Sequence, residues 1–137
     1  MKKYVLGIDQ STQGTKGIIF DGSGKIINEK GWVEHNPDQI MKNVIQVVKN
    51  VVEKAGIDKE EILTLGISNQ RETAVCWNKN TGRPVYNAIV WQCARGEAIC
   101  NKIAEDGYAQ MVQEHSGIPL SPYYSAAKIA WVLQNVP

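Results

Sequence analysis

The stretch YVLGIDQSTQGTKGIIFD, residues 4–21, determines the architecture we expect. Two apolar runs rich in β-branched residues, YVLGID (4–9) and KGIIFD (16–21), flank a loop of small polar residues. Apolar runs separated by a short polar loop are typical of a β-hairpin. The sequence therefore predicts that the chain begins with two antiparallel strands, the first of which ends at Asp9.

The loop of this hairpin carries groups that suit a phosphate ester and its metal ion. Ser11 and Thr12 offer hydroxyl donors, Gly14 lets the backbone approach a ligand closely, and Lys16 adds a positive charge. Asp9 could hold a hydrated Mg²⁺ at the end of the strand. The spacing is not that of a Walker A loop. A solvated polar turn is the alternative, and the loop alone leaves both interpretations open.

The rest of the chain is predicted to alternate between strands and helices. Asn36 is a good N-cap, Pro37 suits the first helical position, and the apolar spacing continues to Ala55 before Gly56. We also expect a possible strand at 26–28, a buried strand at 61–68, a hairpin from 72–78 and 85–91, helices from about Cys93 to Asp106 and from Tyr108 to His115, and a last helix near Ser125 with Ile129, Val132, Leu133 and Val136 on one side. This order predicts a mixed α/β sheet with packed helices, in a single domain over 1–137.

Composition excludes several classes of protein. The 137 residues carry a net charge of +1, so a nucleic-acid binder is not expected. No apolar run reaches the length of a membrane helix, and Asp9 comes too early for a signal peptide. Three cysteines without CxxC spacing indicate reduced thiols. We therefore expect a cytoplasmic protein.

A charged group interrupts the apolar segment ISNQRETAVCW (67–77). Arg71 offers a fork of donors and Glu72 is an acceptor. A charged pair at a strand end must be paired, solvated or hydrogen-bonded, because leaving it buried and unpaired costs several kcal/mol. At the rim of a pocket the two side chains would hold neighbouring hydroxyls of a polyol. A local ion pair at a hairpin end is the alternative, which the spacing alone slightly favours.

Aromatic residues lie at or near several predicted element ends. Trp77, Trp91 and Tyr123 each lie beside polar residues, as in sites that combine an aromatic wall with directed polar groups. Core packing is the alternative for any one of them. Trp32 and Trp131 are predicted to be packing residues.

Together these stretches resemble one family. The segments GIDQSTQGTKGIIFD (7–21), GWVEHNP (31–37), GISNQRETAVCWNKNTGRPVYNAIVWQCAR (66–95) and SPYYSAAKIAW (121–131) are similar to the N-terminal part of glycerol kinases. Those enzymes belong to the FGGY carbohydrate kinases, within the actin, hexokinase and Hsp70 ATPase superfamily. The resemblance implies an RNase H-like mixed sheet with flanking helices, incomplete in this chain. It also implies ATP-dependent, Mg²⁺-assisted phosphorylation of a primary hydroxyl.

The resemblance assigns roles to the candidate site residues. Arg71 and Glu72 match the pair that hydrogen-bonds the glycerol hydroxyls. Trp91 matches the ring that packs on the glycerol carbons, and Tyr123 matches the residue that completes the pocket. The resemblance thus implies a binding site for glycerol or a related polyol.

The same resemblance describes the phosphate side of the site. Asp9 matches the carboxylate that faces Mg²⁺ and the phosphates, while Thr12 and Lys16 match residues near the transferred phosphoryl group. The family's catalytic base lies in a later segment, beyond Pro137. We therefore expect residues 1–137 alone to be inactive, with ATP and Mg²⁺ as cofactors of the complete enzyme.

Three departures from the family pattern stand out. Ala94 replaces the first of two arginines, leaving Arg95, and Lys16 stands where an arginine is common. The connection GKIINEKGW (24–32) leaves too little room for a third strand. We expect this to leave an exposed sheet edge through which a homo-oligomer could form.

Two other interpretations remain open. The chain could be a non-catalytic polyol-binding or protein-interaction domain derived from such a kinase. It could also be a folding unit with no function of its own.

Overall fold

A computed structural model describes the backbone of residues 4–11, 14–16 and 26–27, and both backbone and side chains of residues 31–137. The strands are β1 (Tyr4–Ser11), β2 (Gly14–Lys16), β3 (Ile26–Ile27), β4 (Val33–His35), β5 (Ile62–Ser68) and β6 (Ala88–Ile89). The α-helices are α1 (Pro37–Ala55), α2 (Glu97–Glu105), α3 (Ala109–Ser116) and α4 (Ser125–Asn135). The chain divides into a first unit, Met1–Gly24 with Pro37–Gln70, and a second unit, Lys25–Asn36 with Arg71–Pro137.

The first unit contains a mixed sheet in the order β2-β1-β5. β1 pairs antiparallel with β2 and parallel with β5, so the predicted opening hairpin and mixed sheet are confirmed. The prediction that β1 ends at Asp9 is wrong, because Gln10 and Ser11 continue the ladder opposite Thr15 and Gly14. The rest of the second predicted strand, residues 17–21, lies outside the described residues.

Helix α1 begins at Pro37 and ends at Ala55, as predicted. Gly56 follows with a φ of +62°, a left-handed conformation that glycine adopts without a Cβ clash. Val47 is fully buried on this helix. Local capping signals were therefore sufficient to place both ends of α1.

Strand β5 forms where the sequence predicts it, but the prediction that it is buried is wrong. Leu63, Leu65 and Ile67 are 58%, 47% and 64% exposed. Since successive side chains of a strand alternate, these three lie on one face; we call them the β5 apolar stripe. Backbone pairing with β1 joins the two strands within the plane of the sheet, so it does not cover the side chains on either face.

The second unit contains a small sheet in the order β3-β4-β6. β3 confirms the possible strand at 26–28, and β4 is a strand that the sequence analysis missed. The regular hairpin predicted from 72–78 and 85–91 is wrong in detail. Among the described residues of this segment, isolated bridges join Ala74 to Ile89 and Trp77 to Pro84. The two bridges are three residues apart along the first segment and five residues apart along the return segment. This mismatch bulges the return segment and interrupts the ladder.

The helices of the second unit follow the prediction, with one change. The helix expected from Cys93 begins instead as a 3₁₀ turn at Ala94–Gly96 that leads into α2. Gly96 allows α2 and α4 to approach closely, because a Cβ at this position would lie 2.8 Å from the Cβ of Ala127. The two later helices, α3 and α4, lie close to their predicted positions.

The predicted apolar side of α4 is wrong in part. Val132 is buried, but Ile129 and Leu133 are 42% and 79% exposed. Ala127 and Lys128 are buried instead. The core of the second unit consists of Val33, Ile89, Val90, Cys93 and Val132.

Other composition-based expectations can also be compared with the structure. All three cysteines are free thiols, as predicted. None of the described helices is long and apolar enough to span a membrane. All four tryptophans lie in the second unit.

Candidate functional site

Glu72 is joined to the first turn of α4. Its Oε2 accepts a hydrogen bond from the Ser125 backbone N–H at 3.2 Å and another from the Ser125 hydroxyl at 3.1 Å. Tyr124, the N-cap residue of α4, makes no side-chain capping bond. The Glu72 carboxylate therefore supplies an acceptor to the N-terminus of a helix that begins 53 residues later.

The backbone of Glu72 has an unusual conformation. Its φ is +59°, and it is the one residue other than glycine with a positive φ in the described part of the chain. This left-handed conformation brings the Cβ of an L-residue close to its own backbone and costs about 1–2 kcal/mol. Strain of this kind persists where the surroundings fix it and is frequent at functional sites.

Two predicted pocket residues, Trp91 and Tyr123, are in contact. Their ring centroids are 5.8 Å apart in an edge-to-face arrangement. The backbone N–H of Trp91 donates to the Thr73 hydroxyl at 3.3 Å, which ties Trp91 to the neighbour of Glu72. The structure thus brings Glu72, Trp91 and Tyr123 into one neighbourhood from three separate segments.

Arg71 lies in a turn with an exposed side chain. The ion pairs among the described residues lie elsewhere in the chain, and neither includes Arg71 or Glu72. This argues against the alternative of a local ion pair between the two. Arg71 instead presents its guanidinium to the surface beside the Glu72 site.

The predicted phosphate-side residues lie in the first unit, where only their backbone is described. Asp9 is paired with Lys16 across the hairpin and with Ser68 of the parallel strand β5. Ser11 is paired with Gly14, and Thr12 lies outside the described residues. Asp9 is therefore near the carboxyl ends of two adjacent parallel strands.

Lys128 is a buried charged residue that the sequence analysis missed. Its side chain is inaccessible to solvent, and its Nζ donates to the carbonyl oxygens of Pro122 at 2.8 Å, Tyr124 at 3.1 Å, and Tyr123. Burial lowers the pKa of Lys128, although the nearby Glu72 carboxylate acts in the opposite direction. One signal was available: Lys128 precedes Val132 by four residues, which places it on the buried face of α4.

Arg95 is the second buried cation, and it is paired with a carboxylate. Its Nη2 lies 2.7 Å from Glu34 Oε2, and its Nε donates to Cys93 Sγ at 3.0 Å. The guanidinium carbon is 4.7 Å from the ring centroids of both Trp32 and Trp131. The prediction that these two tryptophans are packing residues is confirmed. We call Arg95, Glu34, Cys93, Trp32 and Trp131 the Arg95 cluster.

The ion pair of this cluster changes the acidity of Glu34. Burial acts to raise the pKa of the Glu34 carboxyl, but hydrogen bonds from Asn87 and Arg95 and the Arg95 charge outweigh it, so the pKa lies below the usual value of 4.5. Glu34 is therefore held in its charged form.

Ala94, the departure from the family pattern, lines an open groove of about 500 Å³ beside the Arg95 cluster. Trp32, Arg95 and Trp131 are among the other lining residues. None of the four predicted polyol residues, all of which are described, lines this groove. Ala94 therefore lies next to the Arg95 cluster rather than in a groove shared with Trp91 and Tyr123.

Solved structures share this fold. A Plasmodium falciparum glycerol kinase, solved with ADP, matches all of this chain and 30% of its own length, with a TM-score of 0.80 and 30% sequence identity. A gluconate kinase from Lactobacillus acidophilus matches 96% of this chain and 28% of its own, with a TM-score of 0.81 and 23% identity. The fold is that of the sugar kinases of the actin and hexokinase superfamily, as the sequence predicts.

The model of the FGGY family of carbohydrate kinases, N-terminal domain, matches residues 4–137. The chain therefore belongs to the FGGY family. It is 45% identical to glycerol kinase 2 of Thermotoga maritima and 48% identical to a glycerol kinase of Thermoanaerobacter pseudethanolicus, covering 98% and 99% of this chain. The chain spans about 30% of the length of these relatives.

Proposed function

We propose that this chain is the N-terminal part of an ATP-dependent kinase that phosphorylates a primary hydroxyl of glycerol or a related polyol. The observation that carries the proposal is the convergence of Glu72, Trp91 and Tyr123. Two hydrogen bonds support this arrangement, one from Trp91 to Thr73 and one from Ser125 to Glu72. The relatives named as glycerol kinases support the choice of substrate.

In this proposal the polyol is held by a donor and an acceptor. Both hydrogen bonds from Ser125 end on Glu72 Oε2, and Oε1 is the atom that accepts a substrate hydroxyl. The exposed Arg71 guanidinium donates to the neighbouring hydroxyl. The edge-to-face rings of Trp91 and Tyr123 offer an apolar wall to the C–H groups of the polyol.

The phosphate side of the proposal rests on Asp9, Ser11, Thr12 and Lys16. Ligands of α/β proteins bind beyond the carboxyl ends of parallel strands, and Asp9 lies near that end of β1 beside β5. Asp9 would hold Mg²⁺, whose charge stabilises the phosphates of ATP, while Ser11, Thr12 and Lys16 would contact phosphate oxygens. The catalytic base would come from a segment beyond Pro137. The free cysteines support a cytoplasmic location.

A chimera tests the proposal directly. Residues 1–137 replace the aligned segment of Thermotoga maritima glycerol kinase 2, so that the relative supplies the remainder of the enzyme. We expect glycerol-dependent ADP formation by the chimera and none by residues 1–137 alone. A folded chimera that binds ATP but phosphorylates no polyol would contradict the proposal and favour a non-catalytic polyol-binding or protein-interaction domain.

We further propose that the first unit supports a homo-oligomer through the β5 apolar stripe, which lies on a face of the strand rather than along its backbone edge. Burying Leu63, Leu65 and Ile67 against a second copy would remove three large apolar side chains from water. Sedimentation of the 137-residue chain should show association that Leu65→Lys abolishes. Thr64→Lys, on the opposite face of β5, is the matched control. Monomeric wild-type protein at high concentration would refute this.

A further inference from the structure

The segment that precedes α4 curves around one buried ammonium group. We call Pro122–Ser125 the pre-α4 segment. The carbonyl oxygens of Pro122, Tyr123 and Tyr124 all accept hydrogen bonds from Lys128 Nζ. An ammonium has three protons to donate, so these three carbonyls use its full capacity. Three consecutive carbonyls directed at one atom fix the path of the backbone between them.

The same segment is held from its other end by Glu72. The Glu72 carboxylate accepts from both the backbone N–H and the hydroxyl of Ser125. The pre-α4 segment is thus fixed by a cation at its carbonyl groups and by an anion at its last residue. Tyr123, whose ring contacts Trp91, is one of the residues whose carbonyl is bonded to Lys128.

We propose that Lys128 is a positioning residue for the polyol site, holding the pre-α4 segment so that Tyr123 meets Trp91 and Ser125 meets Glu72. The inference rests on the proposed function, since it concerns the same substrate site. Lys128 is inaccessible to solvent and so does not touch the substrate. It acts through the backbone that carries Tyr123 and Ser125.

The chemistry of lysine suits this role. The three carbonyl groups need donors, and a neutral side chain of similar length cannot supply three. Leaving these partly buried carbonyls unpaired is costly, so the segment would move to find other partners. Such a movement would displace Tyr123 and Ser125 together. Binding sites are sensitive to displacements of this kind, because a shift of about 1 Å can reduce activity about 100-fold.

The test uses the active chimera and compares Lys128→Met with Val132→Ala. Both substitutions disturb the buried face of α4, but only the first removes the bonds to the pre-α4 segment. We expect Lys128→Met to raise the KM for glycerol about 10- to 100-fold and to leave the KM for ATP unchanged. Val132→Ala should lower the melting temperature and leave both KM values unchanged. Lys102→Met, at an exposed site on α2, controls for the loss of a lysine.

A second variant decides the matter if Lys128→Met fails to fold. Ser125→Ala removes the hydroxyl that donates to Glu72 and keeps the backbone N–H, so the KM for glycerol should rise several-fold with the fold intact. An unchanged KM for glycerol in the folded Lys128→Met protein would overturn the inference. If Lys128→Met does not fold, an unchanged KM for glycerol in Ser125→Ala would overturn it. An equal rise in Val132→Ala would also overturn it, because stability alone would then explain the effect. A wild-type chimera without glycerol kinase activity would overturn the proposed function instead.

Discussion

The Arg95 cluster and the Glu72 site place charged groups in the second unit in opposite ways. In the Arg95 cluster the guanidinium is closed off by a carboxylate, a sulfur atom and two aromatic rings. At the Glu72 site, Arg71 is exposed and has no ion-pair partner among the described residues, and the Ser125 bonds use one carboxylate oxygen. Breaking a charge pair that is enclosed within the fold lowers stability, whereas a charge left exposed can recognise a ligand.

The largest effect on stability is expected from opening the Arg95 cluster. Arg95→Met leaves the Glu34 carboxylate partly buried without its cation, and breaking a buried pair in this way costs about 3–5 kcal/mol. Urea denaturation at neutral pH measures the change in the free energy of unfolding. Adding Glu34→Gln should recover part of the loss, since the unpaired charge is then removed. If Arg95→Met alone is as stable as the wild type, the Arg95–Glu34 pair is not shielded from water.

The next effect is on activity and concerns the open charges. In the chimera, Arg71→Ala or Glu72→Ala should cost about 2–5 kcal/mol of transition-state binding. This corresponds to a fall in kcat/KM for glycerol of roughly 30-fold to several thousand-fold. Glu72→Gln should be milder, because it keeps the size and part of the acceptor capacity. The KM for ATP should hardly change. Wild-type efficiency in both alanine variants would mean that these side chains do not bind the substrate.

Acid pH should reduce the folding stability of the wild type more than that of a variant without the Glu34 carboxylate. The folded state lowers the pKa of Glu34, so the folded state binds this proton less tightly than the unfolded state does. The stabilisation is complete above the unfolded value of 4.5 and is lost as the pH falls through the lowered pKa. Unfolding curves across this range should show a steeper acid loss for the wild type than for Glu34→Gln. Parallel curves would contradict the assignment.

The smallest effect compares two substitutions at Glu72. Glu72→Gly and Glu72→Ala both remove the acceptor for Ser125, but only glycine adopts a φ of +59° without strain. The glycine variant should therefore be about 1 kcal/mol more stable than the alanine variant, while both lose activity. Thermal unfolding of the two proteins gives the difference directly. Equal stabilities would mean that the backbone at position 72 relaxes.

The sequence predicts those parts of the fold whose signals are local. Asn36, Pro37 and Gly56 mark the ends of α1, and two apolar runs around a short polar loop mark the opening hairpin. The burial of β5 was predicted wrongly, because an apolar run shows that a strand can be covered but not whether a partner covers it. The irregular pairing of segments 72–78 and 85–91 was missed because strand register depends on pairing rather than on composition.

The candidate site shows the same limit. The identity of Arg71, Glu72, Trp91 and Tyr123 could be read from their residue types and from the family resemblance. The partners of the buried cations could not be read from the sequence. Arg95 and Glu34, for example, are 61 positions apart. The partners of Lys128 are backbone carbonyls, which no side-chain pattern reveals.

The distribution of tryptophan makes the two units optically distinct. Trp32, Trp77, Trp91 and Trp131 all belong to the second unit, so selective excitation of tryptophan fluorescence reports on that unit alone. Far-ultraviolet circular dichroism also registers α1 of the first unit. Coincident melting curves from the two probes are the mark of a single cooperative transition, and separate curves show that the units unfold independently. The native chain thus contains its own reporter of how strongly its two units are coupled.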